Sequence, residues 1–135
     1  KPQYLQQFGV MASAYMQSVM GVENPRISLL NNGEEAEKGC DLTKAAYKLL
    51  SAAPINFAGN CEAREVLSGE FDALVCDGFV GNVVLKYTEG LASSKAHGSS
   101  DAKAFASAIR QAELFVKGNV NPKIAEATAS LPDEE

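Results

Sequence analysis

The run Asp77-Gly78-Phe79-Val80-Gly81-Asn82 has the residue types of a ligand-binding turn. It joins a short apolar run, Ala73-Leu74-Val75-Cys76, to a stretch with Val80, Val83, Val84, Tyr87 and Leu91 at helical spacing. The Asp77 carboxylate can orient a cation or an amide. The Asn82 side chain, at the opening of a helix, can donate to a phosphate or a developing oxyanion, and the helix terminus adds a positive field. Each residue also has a plainer reading. Asp-Gly is a common turn device, and Asn caps helices well. Gly78 and Gly81 are then either turn residues or points where a substrate meets backbone.

Three other loops carry candidate chemistry. Lys38 is the nearest cation for a phosphate, with Gly39 beside it to let the backbone approach, in the polar loop 31–39. Its plainer reading is a solvated Lys among Glu34, Glu35 and Glu37. Asn32, Gly33 and Asn60 read as supporting pocket residues. His97-Gly98-Ser99-Ser100 sits before another helix pattern, where backbone N–H groups can bind phosphate or simply start the helix. Glu62 and Arg64 read as an ordinary surface pair.

These residues need elements to hold them. Residues 2–20 form a helix in this reading, with Tyr4, Phe8, Met11, Ala12, Tyr15 and Val19 on one apolar face and Gly21 as its stop. Ile27-Ser28-Leu29-Leu30 is a buried strand. Asp41 caps a helix with Leu42, Ala45, Ala46, Leu49 and Leu50 inward. Ile55 to Gly59 is a second strand, followed by a loop over 59–64. A later helix turns Phe105, Ile109, Ala112 and Val116 inward, and residues 121–128 make a last short helix. This alternation is that of an α/β fold, a mostly parallel sheet with helices on both faces. Ligands in such sheets gather at the carboxyl ends of strands, where loops 31–39, 59–64 and 77–82 all fall. Residues 1–94 form the α/β region and 95–135 a helical segment. Between about Ser93 and Lys95 one helix runs into the next with no strand, which suggests that residues are missing there.

At 135 residues and 46% apolar content, one ordinary domain with a core is expected. A net charge of −5 argues against nucleic acid, whose phosphates need clustered Lys and Arg. Three scattered Cys and one His argue against a zinc site, so no metal is expected, and fit reduced thiols in the cytoplasm. No cofactor is called for. The chain starts at Lys1-Pro2, so its true N-terminus is expected to lie elsewhere.

Taken in order, Asn31-Asn32-Gly33-Glu34-Glu35, Lys38-Gly39, Pro54 to Asn60, Glu62-Ala63-Arg64, Cys76 to Lys86 and Lys95 to Asp101 resemble the PlsX family of phosphate acyltransferases. The resemblance covers nearly all of the chain, and the string from Cys76 to Lys86 is its most specific part. It implies attack of inorganic phosphate on the thioester of an acyl-acyl carrier protein, giving acyl phosphate for phospholipid synthesis. Lys38, Asn82 and Asp77 would be catalytic; Asn32, Gly33, Asn60, Gly78, Gly81, His97, Gly98 and Ser99 would bind phosphate or substrate. A homodimer is implied, as is a fold like the isocitrate and isopropylmalate dehydrogenases and phosphotransacetylases. In the complete family member a helical hairpin also meets the membrane surface. That hairpin and the N-terminal half of the family are absent from this chain.

Two alternatives remain at this point. A phosphotransacetylase or phosphotransbutyrylase would run the same chemistry on acyl-CoA. A non-catalytic dimerisation fragment would hold one wall of the cleft only. A metal-dependent decarboxylating dehydrogenase ranks below both, because no Asp-x-x-x-Asp cluster is present.

Overall fold

The computed structural model describes residues 1–95, 110, 113–114 and 116–131 of the chain. Helix α1 (Pro2–Ser18) leads into strand β1 (Ile27–Asn31), helix α2 (Asp41–Ala52) and strand β2 (Phe57–Glu62). A 3-10 turn (Ala63–Glu65), strand β3 (Ala73–Val75), helix α3 (Gly78–Lys95) and helix α4 (Val120–Ala129) follow. The strands form one parallel sheet in the order β2-β1-β3, flanked by helices, which is the expected α/β class.

β1 is central, and residues 27–30 are buried. A strand covered on both faces reads as a continuous apolar run, and Ile27, Leu29 and Leu30 supply it. Ser28 is tolerated because its hydroxyl donates to the Gly59 carbonyl at 2.6 Å. Ile27 faces Phe57, yet Leu29 faces Asn60, so β2 carries one extra residue. Gly59, at φ +93°, absorbs it as a bulge. The residue pattern ends this strand at Gly59, whereas pairing carries it on to Glu62. Asn60 therefore sits in the sheet and not in a loop.

The core joins Leu5, Ile27, Leu29, Ala46, Leu50 and Val75. From α2 it takes Ala46 and Leu50, one turn apart, while Tyr47 meets Phe57 edge-on at 5.2 Å. Asp41 is the first residue of α2, and Cys40, not Asp41, holds the N-cap position.

Helix α1 buries only part of the expected face: Val19 is buried and Ala12 packs against the core, but the main buried face is another one. Leu5, Gln6, Gly9, Val10, Ser13 and Ala14 turn inward. Tyr4, Phe8 and Met11 stay 38–47% exposed. Space decides this. A Cβ at Gly9 would lie 2.5 Å from Leu50 Cδ2 and 3.3 Å from Ile55 Cδ1, so α1 approaches its neighbours too closely for a bulky face. Gln6 is accommodated by donating its amide to the Leu49 carbonyl at 3.0 Å.

α4 lies against α1, as Gly118 just before it shows: a Cβ there would come 2.6 Å from the Ser18 carbonyl oxygen. Val120, at the start of α4, is 1% exposed. Val116, expected inward, is 77% exposed. Phe105, Ile109 and Ala112 lie outside the described residues.

Candidate functional site

A cleft of about 320 Å³ opens at the carboxyl edge of the sheet. One wall comes from the β1–α2 connection: Leu30, Asn31, Asn32, Gly39, Cys40 and Thr43. The facing wall comes from the end of β3 and from α3: Cys76, Asp77, Val80 and Val84. Leu5 and Ala63 close it off. The cleft is largely apolar, with polar groups gathered where the two strands end. Of the candidate residues, Asn32 and Asp77 line it directly.

The β1–α2 wall is held by side-chain amides. Asn31 Nδ2 donates to the Lys38 carbonyl at 3.1 Å, and Asn31 Oδ1 accepts from the Asn32 N–H at 2.9 Å. Asn60, 5% exposed, donates Nδ2 to the Glu35 carbonyl at 2.8 Å. It reaches the back of the loop and does not line the cleft. Its Oδ1 is buried without a hydrogen-bond partner among the described residues. Gly33 is buried beneath the Lys38 stem; a Cβ there would sit 2.7 Å from Lys38 Cγ. Gly39 adopts φ +98°, and a Cβ there would collide with the Thr43 hydroxyl and the Asn31 side chain.

Lys38 does not line the cleft but is exposed beside Gly39, which does, and takes part in no salt bridge among the described residues. The acidic neighbours do not capture it. Glu34 instead meets Arg64 at 3.4 Å, and Arg64 also pairs with Glu62 at 2.8 Å. At 73% side-chain exposure Arg64 contributes little through either pair.

α2 begins without a side-chain cap hydrogen bond. No carboxylate or hydroxyl oxygen occupies its N-terminal amides, which face only the Cys40 sulfur, a weak acceptor that an anion can displace. Cys40, at that terminus, is exposed. Hydrogen bonding from the Thr43 backbone amide, and next from its side chain, holds the Cys40 thiol below the usual range. Burial pushes the Cys61 and Cys76 thiols up.

The β3–α3 wall is closed by its own carboxylate. Asp77 Oδ1 accepts from the Phe79 N–H at 2.9 Å and the Val80 N–H at 3.0 Å. The Asp77 carbonyl accepts from Gly81 at 2.9 Å. Asp77 is thus the N-cap of α3, and the helix starts at Gly78. This corrects the expectation that Asn82 opens the helix. Asn82 lies in the second turn and is exposed. Two residues from both Val80 and Val84, it falls on the opposite side of α3 from the cleft. It shares that side with Phe79 and Leu85, which are 79% and 55% exposed, while Val83 and Tyr87, nearer the Val80 side, are still 51% and 69% exposed. Val83 and Tyr87 therefore do not turn inward as expected; Val80 and Val84 do. A Cβ at Gly81 would come within 3.0 Å of Cys76 Sγ, whereas one at Gly78 would meet open space. Gly81 thus serves close packing. His97, Gly98 and Ser99 lie outside the described residues.

Sequence reasoning did not single out Asn31, Cys40 or Thr43 for the cleft. Only the return of the loop to the end of β1 brings them together, although Asn at a strand end followed by a glycine-bounded polar loop was a signal. The apolar wall of Leu5, Leu30, Val80 and Val84 had none beyond periodicity.

A family model described as "Fatty acid synthesis protein" matches residues 1–94. Among curated proteins, the chain is 43% identical over 178 aligned residues to the phosphate acyltransferase of Clostridium perfringens (strain SM101 / Type A), covering 93% of this chain and 52% of that protein. It is 38% identical over 186 to that of Alkaliphilus oremlandii, covering all of this chain and 56% of the relative. With the phosphate acyltransferase of Halalkalibacterium halodurans it shares 55% identity over 94 residues, or 70% of this chain and 28% of the relative. The chain thus spans about half the length of the first two relatives. Both of those alignments are longer than the chain itself, so within the matched span the relatives carry residues with no counterpart here.

Proposed function

The chain belongs to the fatty acid synthesis protein family, and from that premise we propose that it carries one part of the site of a phosphate acyltransferase. Inorganic phosphate is the nucleophile. Its second pKa near ~6 leaves it mostly dianionic at neutral pH, so no strong general base is required. A phosphate oxygen forms a bond to the thioester carbon of an acyl-acyl carrier protein. The C–S bond breaks, acyl phosphate forms, and the carrier leaves as a thiolate whose ordinary pKa is about 8.5.

Phosphate lodges against the β1–α2 wall. Lys38 supplies charge from beside the cleft, Asn32 an amide, and the start of α2 its N–H groups, which no side-chain oxygen caps. Asp77 bounds the other side. Its Oδ1 already serves the Phe79 and Val80 amides, so its part is to fix the turn and to repel an anion that strays towards α3. The first methylenes of the acyl group lie along Leu30, Val80 and Val84. The observation that carries this reading is a single cleft in which an uncapped helix start, a strand-end amide and an apolar wall converge.

The same reading makes the protein a cytoplasmic homodimer of phospholipid synthesis, with membrane contact made through residues this chain lacks. The excess length of the relatives' alignments supports a missing block. Among the described residues no helix is long and apolar enough to cross a membrane. The fold likeness to the dehydrogenases and phosphotransacetylases is part of this proposal.

The test is phosphate-dependent release of free carrier thiol by the protein at full natural length, run beside acyl-CoA. Turnover with the acyl carrier and not with acyl-CoA is expected. Turnover with acyl-CoA alone would assign it to the phosphotransacetylase reaction, and none with either would leave a dimerisation role.

A further inference from the structure

The loop between β1 and α2 has few means of holding itself. Residues 32–39 include Glu34, Glu35 and Glu37, and the loop's own backbone contact is Lys38 N–H to the Glu35 carbonyl at 3.1 Å. Three carboxylates beside one Lys would repel an anion unless the loop turned them outward. Its closure comes instead from one side chain at the end of β1. Asn31 accepts from the amide at the loop's first residue and donates to the carbonyl near its last, at 2.9 and 3.1 Å. Both of its polar groups act on the loop. The same side chain packs against Gly39, where a Cβ would meet the Thr43 hydroxyl and then Asn31.

We infer that Asn31 is a positioning residue: by joining the two ends of loop 32–39 it sets Lys38 and the start of α2 at the distance that admits phosphate. This rests on the reading of the cleft as a phosphate site. Asn60 assists from β2 by holding the middle of the loop at Glu35. Neither side chain needs to touch phosphate for this. Asn31 lies at the cleft edge of the sheet, outside the cluster of Leu5, Ile27, Leu29, Ala46, Leu50 and Val75. Its loss therefore disturbs the loop ahead of the fold.

The experiment compares Asn31→Ala and Asn31→Asp with the parent protein at full natural length, by steady-state kinetics and by amide exchange. Removing the two hydrogen bonds in Asn31→Ala raises KM for inorganic phosphate about tenfold, with kcat and KM for the acyl donor within about twofold. Asn31→Asp keeps the acceptor for Asn32 N–H but loses the donor to Lys38 and adds a charge, so its KM for phosphate rises at least as far. Exchange at residues 32–39 quickens in Asn31→Ala while that of β1 and α2 is unchanged. A merely structural role would lower kcat through lost active protein and leave both KM values in place. That result, or unchanged exchange over 32–39, overturns the inference. If the parent shows no phosphate-dependent turnover, the cleft reading fails by itself, and the exchange comparison still decides what Asn31 does to the loop.

Discussion

The two walls of the cleft are built alike and end differently. Each is a strand running into a helix through a glycine-containing turn. On the β3–α3 side the last strand-end residue, Asp77, folds back and satisfies the first helical amides itself. On the β1–α2 side the residue at the cap position is Cys40, the helix has no side-chain cap hydrogen bond, and neighbouring Asn side chains hold the loop from outside. A helix terminus attracts anions best where no carboxylate already occupies its amides; at α2 only the weakly accepting Cys40 sulfur faces them. Capping chemistry therefore decides which wall receives phosphate, and the more recognisable turn is the one that is already closed.

The largest test of this contrast is one substitution made on both sides. Gly39→Ala meets a positive φ and a site with no room for a Cβ, and should cost roughly 3 kcal/mol in denaturant unfolding. Gly78→Ala meets open space at a helix start and should be neutral or stabilise by up to about 1 kcal/mol. Equal losses at both would erase the difference. Next in size is Lys38→Ala, which should raise KM for phosphate by tenfold or more, equivalent to about 1.5–3 kcal/mol for charge-assisted contacts. Asn82→Ala, on the far side of α3, should leave KM for phosphate within about twofold. Asp77→Ala removes a cap worth about 1 kcal/mol, read as a lower unfolding midpoint, and Asn at this position should keep most of it.

The smallest effect is in the thiols. Cys40 is held below the ordinary thiol range and Cys61 and Cys76 above it. Near neutral pH, iodoacetamide should label Cys40 first, by mass spectrometry, and Cys61 last. The stability linked to Cys61 is fully present below the ordinary thiol pKa and is lost as pH rises through its raised value, so the melting temperature should decline only once the pH passes the ordinary thiol range. Equal labelling of all three would remove the special environment of the α2 terminus.

Much of the fold is legible where one signal dominates. β1 announces itself by a continuous apolar run and α2 by Ala46 and Leu50 one turn apart, while the residue pattern opens α3 one turn late, at Asn82. What is hidden depends on meetings across the chain. The buried face of α1 is set by how near Leu50 comes to Gly9, which no periodicity records. The extra residue at Gly59 is visible only against β1. In the site, Asp77 is readable as a turn residue, but its cap occupies the amides that the sequence offers to a ligand. Asn31 gains its place from Lys38, seven residues later, returning beside it.

The most direct measurement is a titration of the nitrogen-15-labelled chain with inorganic phosphate, followed by amide chemical shifts. Saturable shifts are expected at Asn32 and at Lys38 to Thr43, with Phe79 and Val80 unmoved behind the Asp77 cap. Shifts centred on Gly78 to Asn82, with the β1–α2 loop silent, would contradict this placement of phosphate.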